Sequence, residues 1–320
     1  MKVLIIGCGA LNWDIFFEVE KIEDLKFGEI RAYAGREYVI ERGKFFEIYE
    51  ELKKKAKLVF EGGGGSSANT IYSLAKLGFK TLFFGAVGRD EFGEKVIEEL
   101  KEVGVDTQYI KKGGTTSLAL ILLDKHKDRT IFVSPGTAEN FLAFEKEPLY
   151  SSALYHFSSF ASSSGQNYQR RLLQHLPSKI SFDPGEIYAS LGKDFLEPFL
   201  EKTKYLFLTA REFSQSGFLK ETLWCKGVEA LFLKKGKEGA EVYTKNVVIK
   251  SSVFIPKEIV DNTGAGDYFN AGVLAGLLLG LPLDKALSLG LYMASISLRD
   301  YGRRGLLSKV EFKKFLSRLK

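Results

Sequence analysis

Short apolar runs recur along this chain of 320 residues, and helical periodicity fills most of the intervals between them. The runs at 3–7, 81–87, 153–158, 180–183, 205–209 and 230–233 carry few polar side chains. A strand with one wet face alternates polar and apolar residues, whereas a strand covered on both faces does not. Residues 45–57, 68–77, 91–103, 266–279, 283–298 and 309–319 read as helices, most with apolar residues three and four apart. Buried strands alternating with helices specify an α/β fold, a doubly wound and mostly parallel sheet flanked by helices. Other segments do not fit that core. Residues 14–20 and 29–41 are more polar, and 117–124 and 129–134 form a hairpin pattern around a polar turn at 125–128. They predict a small β-sheet appended to one domain spanning 1–320, a lid built from approximately 12–42 and 112–135.

Composition removes several functional classes. With two cysteines, Cys8 and Cys225, neither a disulfide scaffold nor a cysteine-rich zinc fold is available. The three histidines, His126, His156 and His175, form no close pair and no HExxH motif. Net charge is +6, but basic and acidic residues interleave, as in Glu98-Glu99-Leu100-Lys101-Glu102, so no nucleic-acid partner is expected. The N-terminus lacks a signal-peptide pattern, and the apolar run at 271–283 falls short of the roughly 20 residues a membrane span needs. The expectation is a cytoplasmic protein without a membrane partner. Abundant Lys and Glu with scarce Met and Cys match a thermophile profile.

The motif with the most chemical content is Asp261-Asn262-Thr263-Gly264-Ala265-Gly266-Asp267, which leads into an apolar helix rich in small residues. The first N–H groups of a helix lack partners one turn back, and the helix dipole adds about half a positive charge there. Side chains no larger than methyl at Gly264, Ala265 and Gly266 leave that anion site open. Asp267 can serve there as a favourable helix-start charge, or as a base that takes a proton from a hydroxyl beside a transferring phosphoryl group. Gly62 to Gly65 expose bare backbone before a Ser-capped helix, as a connector or as a ligand-binding loop. Gly7 and Gly9 after the first strand hint at a dinucleotide fingerprint, but its third glycine is absent.

The 261–272 segment resembles the C-terminal signature of the ribokinase-like (PfkB-type) carbohydrate kinases, Asp-Thr-x-Gly-Ala-Gly-Asp before a small-residue helix. Asn262 stands where Thr is usual, and Tyr268 where a small residue is common. Gly64, Gly65 and Asn69 match the N-terminal signature, with Gly78 and Gly88 following, while Ile71 departs from it. The similarity runs along essentially the whole chain. It implies a phosphotransferase in which Asp267 is the general base and Gly264, Ala265 and Gly266 form the anion hole. By the same resemblance, Asn12, Asp14, Gly64, Gly65 and Asn69 would hold the acceptor. Thr209, Gly236, Gly239 and Asn262 would line the nucleotide, and Glu212 and Asp183 would organise Mg²⁺ indirectly. The donor is ATP or ADP, and a monovalent cation is left open. The acceptor is a sugar, a nucleoside or a sugar phosphate; Arg31, Arg36, Arg42 and Arg129 keep the last in view. A homodimer through the lid strands fits the family. The other readings are an NAD-dependent oxidoreductase using Gly7 and Gly9, and a sugar- or nucleoside-binding regulator.

Overall fold

The computed structural model describes residues 3–126, 128–145, 147–254, 256 and 258–319, so Lys127 of the expected polar turn lies outside the described residues. In chain order the strands begin with β1 (Leu4–Cys8), β2 (Asn12–Glu18), β3 (Lys26–Phe27), β4 (Ile30–Arg31), β5 (Glu37–Val39) and β6 (Lys57–Gly64). Next come β7 (Lys80–Val87), β8 (Val105–Asp106), β9 (Ile110–Lys112), β10 (Ser117–Leu123), β11 (Arg129–Ser134) and β12 (Leu154–Ser158). The last are β13 (Ile180–Asp183), β14 (Thr203–Thr209), β15 (Ala230–Lys234), β16 (Ala240–Tyr243) and β17 (Val248–Ser251). The helices are α1 (Arg42–Lys55), α2 (Ser66–Lys76), α3 (Glu91–Glu102), α4 (Ser163–His175), α5 (Gly185–Ser190) and α6 (Lys193–Lys202). They end with α7 (Ala210–Ser216), α8 (Lys220–Cys225), α9 (Ala265–Leu278), α10 (Leu283–Ser297) and α11 (Lys309–Leu319).

The apolar runs assemble into a ten-stranded sheet in the order β17-β16-β15-β14-β13-β12-β1-β7-β8, with β9 also on β7. Pairing is parallel from β15 through β7, and β16 and β17 add antiparallel strands at one edge. Burial on both faces explains the unbroken apolar pattern. Ile5 of β1 joins the core beneath α2, α9 and α10, while Ile6 and Cys8 join the core beneath α4 and α6. Strand order reverses at β1, so the C-terminal ends of β1 and β12 to β15 flank a crevice where a ligand can sit.

The expected small sheet is present, in the order β5-β11-β10-β2-β6. Its hairpin, β10 with β11, is antiparallel as the sequence pattern predicts. Alternation gives it two characters. Trp13, Ile15, Phe17, Leu118, Leu120 and Leu122 share a core with Phe45, Ile48 and Leu52 of α1. The opposite face carries Asn12 and Asp14 of β2, paired with Gly64 and Gly62 of β6.

Four local expectations are corrected. The strand expected at 29–41 breaks into β4 and β5, and the helix expected from residue 45 begins at Arg42. The glycine run read as a loop is largely strand: Gly62, Gly63 and Gly64 end β6. A Cβ on Gly64 would collide with Asp14 Oδ2 and Asn12 Nδ2. Glycine is therefore needed there for room beside a paired strand, a requirement that strand propensity scales do not register. The expected serine cap is also absent. Gly65 takes the N-cap position at φ +104°, and a Cβ there would strike the Ala10 carbonyl oxygen.

Candidate active site

Asp267 sits in the first turn of α9, behind Gly264 at φ +75° in the left-handed region. The N–H groups of Asp267 and Tyr268 turn back onto the Gly264 carbonyl (2.9 and 3.1 Å), so Gly264, Ala265 and Gly266 precede the regular helical ladder. Two side chains from α2 hold the carboxylate: Ser66 Oγ donates to Oδ1 at 2.6 Å and Asn69 Nδ2 donates to Oδ2 at 2.9 Å. Burial pushes Asp267 up to about 6, although both hydrogen bonds favour its ionised form.

A second carboxylate cluster lies on the C-terminal edge of the large sheet. Asp183 ends β13 and Lys234 ends β15, and Lys234 Nζ meets Asp183 Oδ2 at 2.7 Å. Asn270 Nδ2 donates to the same oxygen at 2.5 Å, and Gly185 N–H donates to Oδ1 at 3.1 Å. Burial alone would raise Asp183, but the Lys234 ammonium and these hydrogen bonds outweigh it and hold the carboxyl below its ordinary value. Lys234 also lies along the Gly264-Ala265-Gly266 turn, since a Cβ on Gly266 would stand 3.4 Å from its Nζ.

Thr209 and Glu212 form a capping box at the start of α7: Glu212 N–H donates to Thr209 Oγ1 (3.1 Å), and Thr209 N–H donates to Glu212 Oε2 (2.7 Å). Burial, then the nearby Asp183, raises the Glu212 carboxyl. Gly236 and Gly239 shape the β15–β16 turn at φ +57° and +92°. Asn262 accepts from Arg129 Nη1 at 3.2 Å, which links β11 of the small sheet to the 261–267 turn.

On β2 of the small sheet, Asn12 Nδ2 donates to Asp14 Oδ1. Burial lifts Asp14 to about 7, with Arg303 and Asn12 opposing the shift. The structure thus brings Asp14 and Asn12 to Gly64 and Gly65, and Asn69 to Asp267, while Gly236 and Gly239 stay with the β15–β16 turn. Among the basic residues flagged as phosphate clamps, Arg42 is committed to Asp90 (3.3 Å) and the Thr116 carbonyl (2.7 Å), and Arg31 lies over the Tyr33 ring.

Sequence reasoning missed Ser66, Lys234, Asn270 and Arg303. Ser66 stands among the polar residues before the expected helix without a motif of its own, and Lys234 precedes the Gly236 turn with no feature to single it out. Arg303 is 3 % exposed; its Nε donates to Asn69 Oδ1 at 3.1 Å, and its Nη1 meets Glu99 Oε2 at 3.1 Å. Nothing local marks Arg303 as a site residue, because Asn69 and Glu99 lie more than 200 positions away. The dinucleotide alternative loses its footing. β1 is followed by β2 of the other sheet rather than by a helix start. A Cβ on Gly7 would strike Ile71 and Phe83, and one on Gly9 would strike Ser158, so both are packing glycines.

Comparison with known proteins gives the family and the fold. The model of the pfkB family of carbohydrate kinases matches residues 28–309. The chain belongs to that family. An uncharacterized sugar kinase of Archaeoglobus fulgidus is 32 % identical over 246 residues, covering 72 % of this chain and 96 % of the relative. A nucleoside kinase of Methanocaldococcus jannaschii is 27 % identical, covering 75 % and 80 %. The pfkB chain also has a ribokinase-like fold. The solved structure of the Methanocaldococcus jannaschii nucleoside kinase superposes with a TM-score of 0.77 at 23 % identity over 99 % of both chains. The Thermotoga maritima ribokinase gives 0.75 at 23 % identity over 99 % of this chain and 100 % of the other. No helix among the described residues is long and apolar enough to cross a membrane.

Proposed function

We infer that this kinase transfers the terminal phosphoryl group of ATP to a hydroxyl of an uncharged sugar or nucleoside, with Asp267 as general base. The observation that carries the reading is the buried Asp267 carboxylate, held by Ser66 and Asn69 in the first turn behind Gly264-Ala265-Gly266. Asp267 takes the proton of the acceptor hydroxyl as that oxygen bonds to the terminal phosphorus. The bond from phosphorus to the bridging oxygen breaks, and ADP leaves with its electron pair. The backbone N–H groups of Gly264 and Gly266, with the Lys234 ammonium beside Gly266, would face the phosphoryl oxygens, where negative charge spreads. Asp14 and Asn12, against the bare backbone of Gly64 and Gly65, hold further acceptor hydroxyls. The relatives named as sugar kinase and nucleoside kinase support this acceptor class. The small sheet serves as the lid over the acceptor, and Arg129 on Asn262 is its contact with the phosphoryl turn.

Mg²⁺ fits this site only in hydrated form. Among the described residues no group of three or more Asp, Glu, His or Cys is arranged to ligate a metal directly. Asp183, Glu212 and Asp267 nevertheless share a neighbourhood with a single ammonium, Lys234, which leaves negative charge for a divalent ion to offset. Glu212 and Asp183 would hold the ion through water, and its chemistry there is neutralisation of phosphate charge.

The test is nucleotide consumption, with ATP and with ADP in the presence of Mg²⁺, against sugars, nucleosides and sugar phosphates. Asp267→Asn should lower turnover by a factor on the order of 10³ or more while nucleotide affinity stays within about twofold. A variant with wild-type turnover would refute the assignment.

A further inference from the structure

Arg303 is a buried cation with two of its three nitrogens committed. Nε donates to Asn69 Oδ1, Nη1 pairs with Glu99 Oε2, and the guanidinium lies over the Tyr72 ring at 4.5 Å. Nη2 is buried without a hydrogen-bond partner. A buried donor left unpaired destabilises the fold, so what this side chain contributes comes from the other two nitrogens. Glu99 Oε2 also accepts from the Gly63 N–H at 2.5 Å, which pins the ion pair to the end of β6.

The decisive feature is the chemistry of Asn69. Its amide has one end that only accepts and one that only donates, and the two ends can exchange by a half-turn. A guanidinium only donates, so Arg303 requires Oδ1 on its side. That leaves Nδ2 on the other side, where it donates to Asp267 Oδ2. Without Arg303, the half-turned amide would present Oδ1 to the Asp267 carboxylate, two acceptors facing each other.

We propose that Arg303 is a positioning residue that acts through Asn69: the chain Glu99–Arg303–Asn69–Asp267 locks the amide in the orientation that donates to the carboxylate of Asp267. The catalytic meaning of this lock rests on the reading of Asp267 as the base, but the lock itself does not. The hydrogen bond at the end of the chain favours the ionised carboxylate, so losing any link before it moves the Asp267 titration to higher pH.

The experiment titrates Asp267 directly. Protein labelled with ¹³C at the aspartate side-chain carboxyl is followed by NMR from pH 4 to 9, and the Asp267 signal is the one missing in Asp267→Asn. Arg303→Met is expected to raise the Asp267 midpoint by about one pH unit, and Asn69→Ala by a similar amount. The double variant should move no further than Asn69→Ala alone, because both remove the same interaction. Arg303→Lys keeps a cation for Glu99 but lacks the planar fork, so it should show part of the shift, and it stands in if Arg303→Met does not fold. A folded Arg303 variant with an unmoved midpoint, or additive shifts in the double variant, overturns the proposal. ADP-binding affinity, expected within about twofold of wild type, reports that each variant is folded. Failure of the kinase reading shows separately, as an unaltered turnover in Asp267→Asn or as no phosphorylation of D-ribose, D-fructose or inosine by the wild type.

Discussion

Ser66 illustrates what a single residue's neighbours decide. Its type and position at a helix start match a cap, yet its hydroxyl donates across 201 positions to Asp267. The consequence is a pH dependence with a definite sign. Asp267 accepts a proton only when ionised, and burial places its titration at about 6. As pH falls through that value the competent fraction shrinks, so kcat/KM for the acceptor should drop about tenfold per unit below it. Ser66→Ala removes a donor to the ionised form, so the same limb should move to higher pH by on the order of one unit. Rates measured between pH 5 and 8 decide this, and a limb that stays in place would remove Ser66 from the account. Asp267 stood out in the sequence because the Gly-Ala-Gly turn and small-residue helix that carry it are local, although Ser66 and Asn69, which hold its carboxylate, are not. Lys234 and Arg303 did not, because their partners come from other strands and helices.

Elements were legible where one physical rule governs them. Strands buried on both faces show as apolar runs, and β13 and α11 fall on their expected bounds. The glycine-ended β6 was not, since three glycines in sequence carry no strand signal and their reasons lie across the fold: the Phe60 ring crowds Gly62, Arg303 and Glu99 crowd Gly63, and Asp14 and Asn12 crowd Gly64. The small residues of α9 also have a packing role. A Cβ on Gly272 would come within 2.7 Å of Gly290 Cα and the Leu289 carbonyl oxygen of α10, so the two helices cross backbone against backbone. No flexible side chain is there to yield. Gly272→Ala should therefore destabilise the protein by about 1–3 kcal/mol through overpacking, despite alanine's better helix propensity. Urea unfolding measures it. A gain in stability would show that the helices separate freely, and the rigid placement of Asp267 by α9 on α10 would have to be abandoned.

The proposed site is divided between two sheets, and this matters at the scale of the whole molecule. The small sheet brings Asp14 and Asn12 on β2 and the bare end of β6, while α2, α9 and the ends of β13 and β15 surround the phosphoryl turn. The existence of both sheets was readable from the contrast between unbroken and alternating apolar patterns. Their connection was not, because the contacts that join them, such as Arg129 with Asn262 and Gly63 with Glu99, pair residues far apart in sequence. A ligand held by Asp14 and Asp267 together must tie the sheets to each other. An uncharged acceptor such as inosine or D-ribose should then slow amide exchange in residues 12–18 and 57–64 as well as in 264–270. A non-hydrolysable ATP analogue alone should protect 234–239 and 262–267 and leave β2 and β6 nearly unchanged. Hydrogen–deuterium exchange with mass spectrometry resolves these peptides. Protection of β2 by the nucleotide and not by the acceptor would mean that the two subsites are exchanged, with the small sheet covering the donor.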